Sequence, residues 1–289
     1  MRKMKFIVLC FMVMMAFASS ASAATSYVQW LGIGEGVGSW TDGTKWNGGV
    51  VPSATDHWGV VGATNYKAGF KTAPNYADLS SCTVTTDTLV FGAANAGNLD
   101  NLVVKGATVN VSQYITLAAA ATDNGIVRMN SGTISTGVQN ANSTFFVTQL
   151  GKGTLYMNGG TINCGLPDPT WVGRPANYSG NLLMTGTTGV TGNGTLYLNG
   201  GTIYANDLLP GTSGTARSLV ITDGKLVLKT DRRAEIAGYS WITTTKPGGV
   251  IATSYDDLEL TTTVYATPEP ATVCLLGLGA MALLRRNKK

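Results

Sequence analysis

The chain is poor in almost everything from which catalysis is built. Only 12% of its 289 residues are charged, and His57 is the single histidine. A serine or cysteine nucleophile would therefore have one candidate base, with a carboxylate needed behind it. Asp56 is adjacent, but neighbouring side chains on a strand face opposite ways, so His57 reads as a loop residue beside Trp58. Of four cysteines, Cys10 and Cys274 lie in apolar terminal runs. Cys82 and Cys164 remain, too few with one histidine for a zinc site. No cofactor motif is visible and no metal-ligand set is assigned. Helix-like periodicity is also scarce. Apolar residues alternate with polar ones in short runs broken by glycine (37 in all) and asparagine, the pattern of many short strands.

The two ends are different in kind. Arg2, Lys3 and Lys5 precede an apolar run from Phe6 to Phe17, and Ala21-Ser22-Ala23 forms an A-x-A cleavage site. This is a signal peptide over residues 1–23, with the mature chain starting at Ala24. At the other end Pro268-Glu269-Pro270 precedes an apolar run from Ala271 to Leu284 and the basic tip Arg285-Arg286-Asn287-Lys288-Lys289. A helix of that run is about 21 Å long, short against a hydrocarbon core of about 30 Å. The basic tip would hold the C-terminus on the cytoplasmic side. The formal charge of +4 belongs to these ends, for without their seven basic residues and Glu269 the interior has 13 basic against 15 acidic ones. The interior thus lacks the positive footprint of a nucleic-acid binder.

The tripartite tail resembles the PEP-CTERM sorting signal of Gram-negative bacteria that make exopolysaccharide. The resemblance implies an exosortase as processing partner and Pro268, Glu269, Pro270, Arg285 and Arg286 as the residues it reads. It implies transient insertion in the inner membrane, then release to the cell surface or matrix. Residues 24–266 would form the ectodomain and 267–289 the sorting segment. Whether the tail is cleaved or retained stays open.

Inside the ectodomain a pattern recurs five times. Gly153-Thr154-Leu155-Tyr156-Met157-Asn158-Gly159-Gly160-Thr161-Ile162 matches Gly194-Thr195-Leu196-Tyr197-Leu198-Asn199-Gly200-Gly201-Thr202-Ile203. Val127–Ile134, Leu219–Leu226 and Leu102–Val109 align with them, with starts 25, 28, 41 and 23 residues apart. Alternation points Leu155 and Met157 to one face and Tyr156 to the other. Asn158-Gly159-Gly160 then turns the chain. Each unit buries few side chains and needs neighbours to be stable. A right-handed parallel β-helix satisfies the pattern, each copy forming two sides of a coil. The gap of 41 then needs a degenerate coil around Asn181–Val190. The alternatives are a β-meander or hairpin array, in which Asn-Gly closes a type I′ hairpin and sets Leu155 opposite Ile162, and a β-sandwich. Cys82 and Cys164 either pair, as an exported chain allows, or stay as buried thiols.

The repeats resemble the autotransporter-associated β-strand repeats of bacterial surface proteins. Trp40-Thr41-Asp42-Gly43-Thr44-Lys45-Trp46-Asn47-Gly48-Gly49-Val50-Val51-Pro52, followed by Asp56, is similar to the segment that opens such β-helical proteins, where it implies an N-terminal cap and first coil. Here it departs by an extra valine before the proline and by His57-Trp58 after the aspartate.

Few residues remain for chemistry. Glycoside hydrolysis needs paired carboxylates, and Asp256-Asp257 with Glu259 is the one acidic cluster. It reads as a solvated strand or linker. Asp231, Arg232, Arg233 and Glu235 could serve a polysaccharide lyase, but their spacing matches no motif. Asp223-Gly224 is a turn. Gly32–Gly38 lacks the strand–helix context of a phosphate loop and reads as a flexible or capping strand. Trp30, Trp40, Trp46 and Trp58 cluster early; Trp171, Tyr178, Tyr239 and Trp241 follow. Tyr156 and Tyr197, sharing an outward repeat position with Arg128 and Val220, could form a platform for sugar rings or pack between coils. The expectation is therefore a non-enzymatic, exported structural or adhesive β-repeat protein associated with exopolysaccharide or biofilm. A carbohydrate-active lyase or hydrolase and a non-catalytic glycan-binding module stand beside it as alternatives.

Overall fold

The computed structural model describes residues 38–39, 42–45, 77–80, 83–86, 89–90, 102–111, 114–118, 121–137, 144–165, 180–186, 192–211 and 216–268. The chain winds about four full turns of a parallel β-solenoid, each with three faces. In chain order the strands are β1 (Gly38–Ser39), then β2 (Ala77–Ser80), β3 (Thr83–Thr86) and β4 (Leu89–Val90). β5 (Leu102–Val111) and β6 (Ile115–Thr116) form the next coil, β7 (Asn124–Thr136) and β8 (Phe145–Phe146) the one after. β9 (Lys152–Met157), β10 (Thr161–Asn163) and β11 (Leu182–Leu183) follow, then β12 (Asn193–Leu198), β13 (Thr202–Ala205) and β14 (Leu208–Leu209). β15 (Arg217–Ile221) and β16 (Lys225–Lys229) lead to a short helix, α1 (Arg233–Ala237), then β17 (Ile242–Thr244) and the hairpin β18 (Val250–Asp256) and β19 (Thr261–Thr267).

The copies aligned by eye in the sequence are ladder partners in space. Leu102, Val127, Leu155, Leu196, Leu219 and Ile242 pair in one row along the first face, strand after strand in parallel. The second face stacks Val109, Ile134, Ile162, Ile203 and Leu226. All these side chains are buried. The hairpin alternative is overturned: Leu155 pairs with Val127 and Leu196, not with Ile162. The turn explains why. A type I′ hairpin needs positive φ at both central residues, yet in Asn158-Gly159-Gly160 only Gly160 has it, at 83°. A side chain there would also meet the Gly132 carbonyl oxygen at 2.6 Å. The result is a corner, and the strands on either side join different faces.

A third face corrects the two-sided coil. Leu89, Ile115, Phe145, Leu182 and Leu208 stack in a second, five-stranded sheet of two-residue strands. The degenerate coil proposed around Asn181–Val190 is therefore no coil. Leu182-Leu183 is the third face of the coil that begins at β9, and β9 pairs directly with β12. The 41-residue spacing is extra chain between Asn163 and Asn193, not an extra turn of the core.

Outside the core the coils are also tied. At the corner the Asn158 side-chain amide donates to Asn130 at 2.9 Å, and that of Asn199 donates to Asn158 at 3.0 Å. Thr222 donates to Asn199 at 3.5 Å and shares a 2.7 Å hydrogen bond with Thr245. Five successive coils are thus linked by one polar ladder. A parallel stack left open would present a row of unpaired backbone groups. The C-terminal end closes that edge on the second face with β19, which runs antiparallel to both β16 and β18. Lys246 fastens this cap, 2.9 Å from Asp223 and donating to the Ala266 carbonyl at 3.3 Å.

Of the two cysteines weighed for a disulfide, Cys82 lies outside the described residues. Cys164 is a free thiol, fully buried beside Ile162 in the core. Thr83, next in the chain to Cys82, stands on β3, and β5 and β7 separate it from β10. Burial pushes the Cys164 thiol far above its usual range. The Cys164 peptide should therefore stay unlabelled by iodoacetamide in the native protein and label fully in denaturant, read by peptide mass. Labelling under native conditions, or a Cys82–Cys164 peptide pair, would refute this packing.

The signal helix and the C-terminal apolar helix, with Ala21, Ala23 and Ala24, lie outside the described residues. Among the described residues no helix is long and apolar enough to cross a membrane.

Candidate functional site

The outer side of the first face is where side chains of successive coils meet solvent. The repeat places one residue per coil in register there: Arg128, Tyr156, Tyr197, Val220. The Tyr156 and Tyr197 rings stack with centroids 4.9 Å apart and planes 4° apart. The Arg128 guanidinium carbon lies 4.4 Å from the centre of the Tyr156 ring. Because Tyr156 stands on the strand between the other two, its faces are covered from both sides. Tyr156 therefore packs between coils, the second of the two expectations for this row. The row is a second outer ladder, adding aromatic and cation–π contacts along the axis.

Beside this ladder runs a groove of about 490 Å³. Its walls follow the repeat. Asn124, Lys152 and Asn193 form one row in register, and Ile126, Thr154, Thr195 and Ser218 another. Tyr156 closes one side and Arg217 one end. Arg217 donates to the Pro210 carbonyl at 3.3 Å and sits 5.7 Å from the Trp241 ring centre. Trp241 in turn stacks on Tyr239 at 5.0 Å. Among the described residues no carboxylate lines the groove. Sequence reasoning singled out Tyr156 and Tyr197 but missed Asn124, Lys152 and Asn193. The signal was present: each directly precedes the glycine that opens its copy.

Several of the acidic residues considered for chemistry hold local structure. Asp256 accepts hydrogen bonds from the backbone N–H groups of Leu258 and Glu259 at 2.9 and 3.0 Å. It closes the turn between β18 and β19. Asp231 holds Arg233 at 2.7 Å and accepts from its backbone N–H at 3.1 Å. Those hydrogen bonds keep the Asp231 carboxyl below the usual range. Arg232 bridges Asp207 and Glu235, each at 3.0 Å, stapling α1 to the third face. Burial raises the Asp207 carboxyl despite the nearby Arg232, and burial likewise raises the Tyr239 hydroxyl. Among the described residues no group of three His, Cys, Asp or Glu could hold a metal ion.

Other expectations fall unevenly. Gly38 and Ser39 pair in parallel with Ala77 and Asp78, so this end of the glycine-rich run adds a strand to the first face. Asp42 accepts from the Thr44 N–H at 3.0 Å and hydroxyl at 2.6 Å, capping the 3-10 turn Gly43–Lys45. His57, Asp56, Trp30, Trp40, Trp46, Trp58, Trp171 and Tyr178 lie outside the described residues.

The last site is where the fold stops. Thr267 is paired with Val250 at the end of β19. Pro268, which has no N–H for a ladder, follows at once. Residues 266–289 match the PEP-CTERM protein-sorting motif. That motif is the recognition signal for exosortase processing, and it implies an exported protein targeted to the cell envelope or surface. Glu269, Pro270, Arg285 and Arg286 belong to the matched segment but lie outside the described residues. The PEP-CTERM match covers the tail alone. Comparison with curated proteins and with solved structures gives no match.

Proposed function

We propose that this exosortase-sorted β-solenoid is a non-enzymatic structural or adhesive component of the cell surface or extracellular matrix. The observation that carries the reading is the use made of the outer side chains. Asparagine, threonine, tyrosine and arginine at repeat positions bond to their counterparts in the next coil, and Asp231, Glu235 and Asp256 at the cap hold neighbouring arginines or backbone N–H groups. The chain's chemistry is directed to holding coils together. Such a stack, charge-poor and tied inside and outside, suits a stiff spacer placed among matrix polymers, and an exopolysaccharide layer is the setting the sorting signal favours. Signal-peptide export and transient insertion in the inner membrane are the route this reading requires.

The test is fractionation of the native host with intact mass on the recovered protein. Wild type should appear in the surface or medium fraction, shortened near Thr267. The variant Pro268→Ala/Glu269→Ala/Pro270→Ala should remain full-length in the inner membrane. Both proteins full-length in the membrane would defeat the sorting reading. The groove favours a second role, glycan binding without catalysis.

A further inference from the structure

We propose that the groove on the first face binds a linear acidic polysaccharide lying along the solenoid axis. This rests on the surface reading only in placing the chain among glycans.

The groove is a one-dimensional array. Parallel strands about 4.8 Å apart repeat the same donor pattern at each coil. Amide, ammonium, amide stand in one row at Asn124, Lys152 and Asn193, and hydroxyls in the next at Thr154, Thr195 and Ser218. A ligand that uses all of them is itself a repeating chain rich in hydrogen-bonding groups. Its charge follows from the lining. Lys152 is exposed and makes no ion pair with any described residue, Arg217 stands at one end, and no described lining residue is acidic. The groove is therefore positive within an ectodomain that is negative overall, with 13 basic against 15 acidic residues. Carboxylates on the ligand would meet Lys152.

A nucleic acid is also a repeating polyanion, but the chemistry here suits it less. Single-strand binders stack bases on open aromatic faces, and Tyr156 has both faces covered by Arg128 and Tyr197. Phosphate binding also depends on dense cations, and here one lysine and one arginine line the groove.

The test uses the purified full chain with alginate, dextran and oligo-dT as probes, read by calorimetry or biolayer interferometry. Alginate should bind, and more weakly as salt rises. Lys152→Glu should weaken binding about tenfold or more, which is about 1.4 kcal/mol. Thr195→Asp, which sets a carboxylate in the hydroxyl row, should act the same way, and both variants should melt like wild type. Dextran and oligo-dT should bind at least about tenfold more weakly than alginate, again about 1.4 kcal/mol. The proposal is overturned if alginate does not bind, if dextran or oligo-dT binds as tightly, or if both variants bind alginate like wild type. None of these outcomes depends on where the host delivers the protein, so failure here leaves the sorting result standing.

Discussion

Gly153→Ala should strongly destabilise the fold. The repeat opens with glycine because the first-face strand crosses the backbone leaving the third face. A methyl group on Gly153 would sit 1.7 Å from the Val147 carbonyl oxygen. The same crossing recurs one coil either side, where Gly125 meets the Leu117 carbonyl oxygen at 1.3 Å and Gly194 that of Met184 at 1.9 Å. The obstacle is backbone, so no side chain can swing aside. The coil must open, breaking the Gly125–Gly153–Gly194 register along the first face. The loss should be about 3 kcal/mol or more, which lowers Tm by about 6–12 °C in a domain of this size. Melting followed by circular dichroism reads it directly. A Gly153→Ala protein that melts within about 2 °C of wild type would mean that the faces do not cross as described.

Phe145→Ala should be comparably damaging for the opposite reason, removal of volume. Phe145 heads the largest fully buried side chains and stacks between Ile115 and Leu182 on the third face. Coils on both sides close around it, and a cavity there cannot collapse without moving two ladders. The expected loss is about 3–5 kcal/mol in urea unfolding. Phe146→Ala is the matched control. Phe146 is only partly buried, with its ring edge-to-face against Tyr114 at 5.8 Å, so its loss should stay below about 2 kcal/mol. Equal losses at the two positions would refute the inward assignment of Phe145.

Much of this architecture was legible in advance, and the limits have physical causes. Alternation identified Leu155 and Met157 as inward and Tyr156 as outward, and the five aligned starts are the rows of the first face. The second face was readable too, since Ile162 and Ile203 follow their turns at the same distance. The third face was not. Strands of two residues, such as Phe145–Phe146 and Leu182–Leu183, show no alternation at all. Missing that face left the 41-residue gap without an explanation and led to the extra coil. The turn misled in a similar way, because Asn-Gly is compatible with a hairpin and with a corner, and only φ at Gly159 and Gly160 separates them. The aromatic row was placed on the right side of the strand. Two roles stayed open for it because a one-dimensional pattern does not say whether a ring presents its face to a sugar or to the next ring. Asp256, read as part of a solvated strand or linker, instead accepts from the backbone at the turn between β18 and β19, a position the alternation pattern does not mark. The tail was legible from the first because its signal lies in order and composition and needs no fold.

The direct pairing of β9 with β12 has a consequence for how such a protein can change over time. The chain between Asn163 and Leu182 exceeds the connection at the same corner in the next coil, where Ala205 is followed almost at once by Leu208. Core contacts on either side nevertheless keep their register. Insertions at this corner are thus invisible to the stack, and so are deletions. A lineage could graft new recognition sequence there, or lose it, while selection on stability is blind to the change.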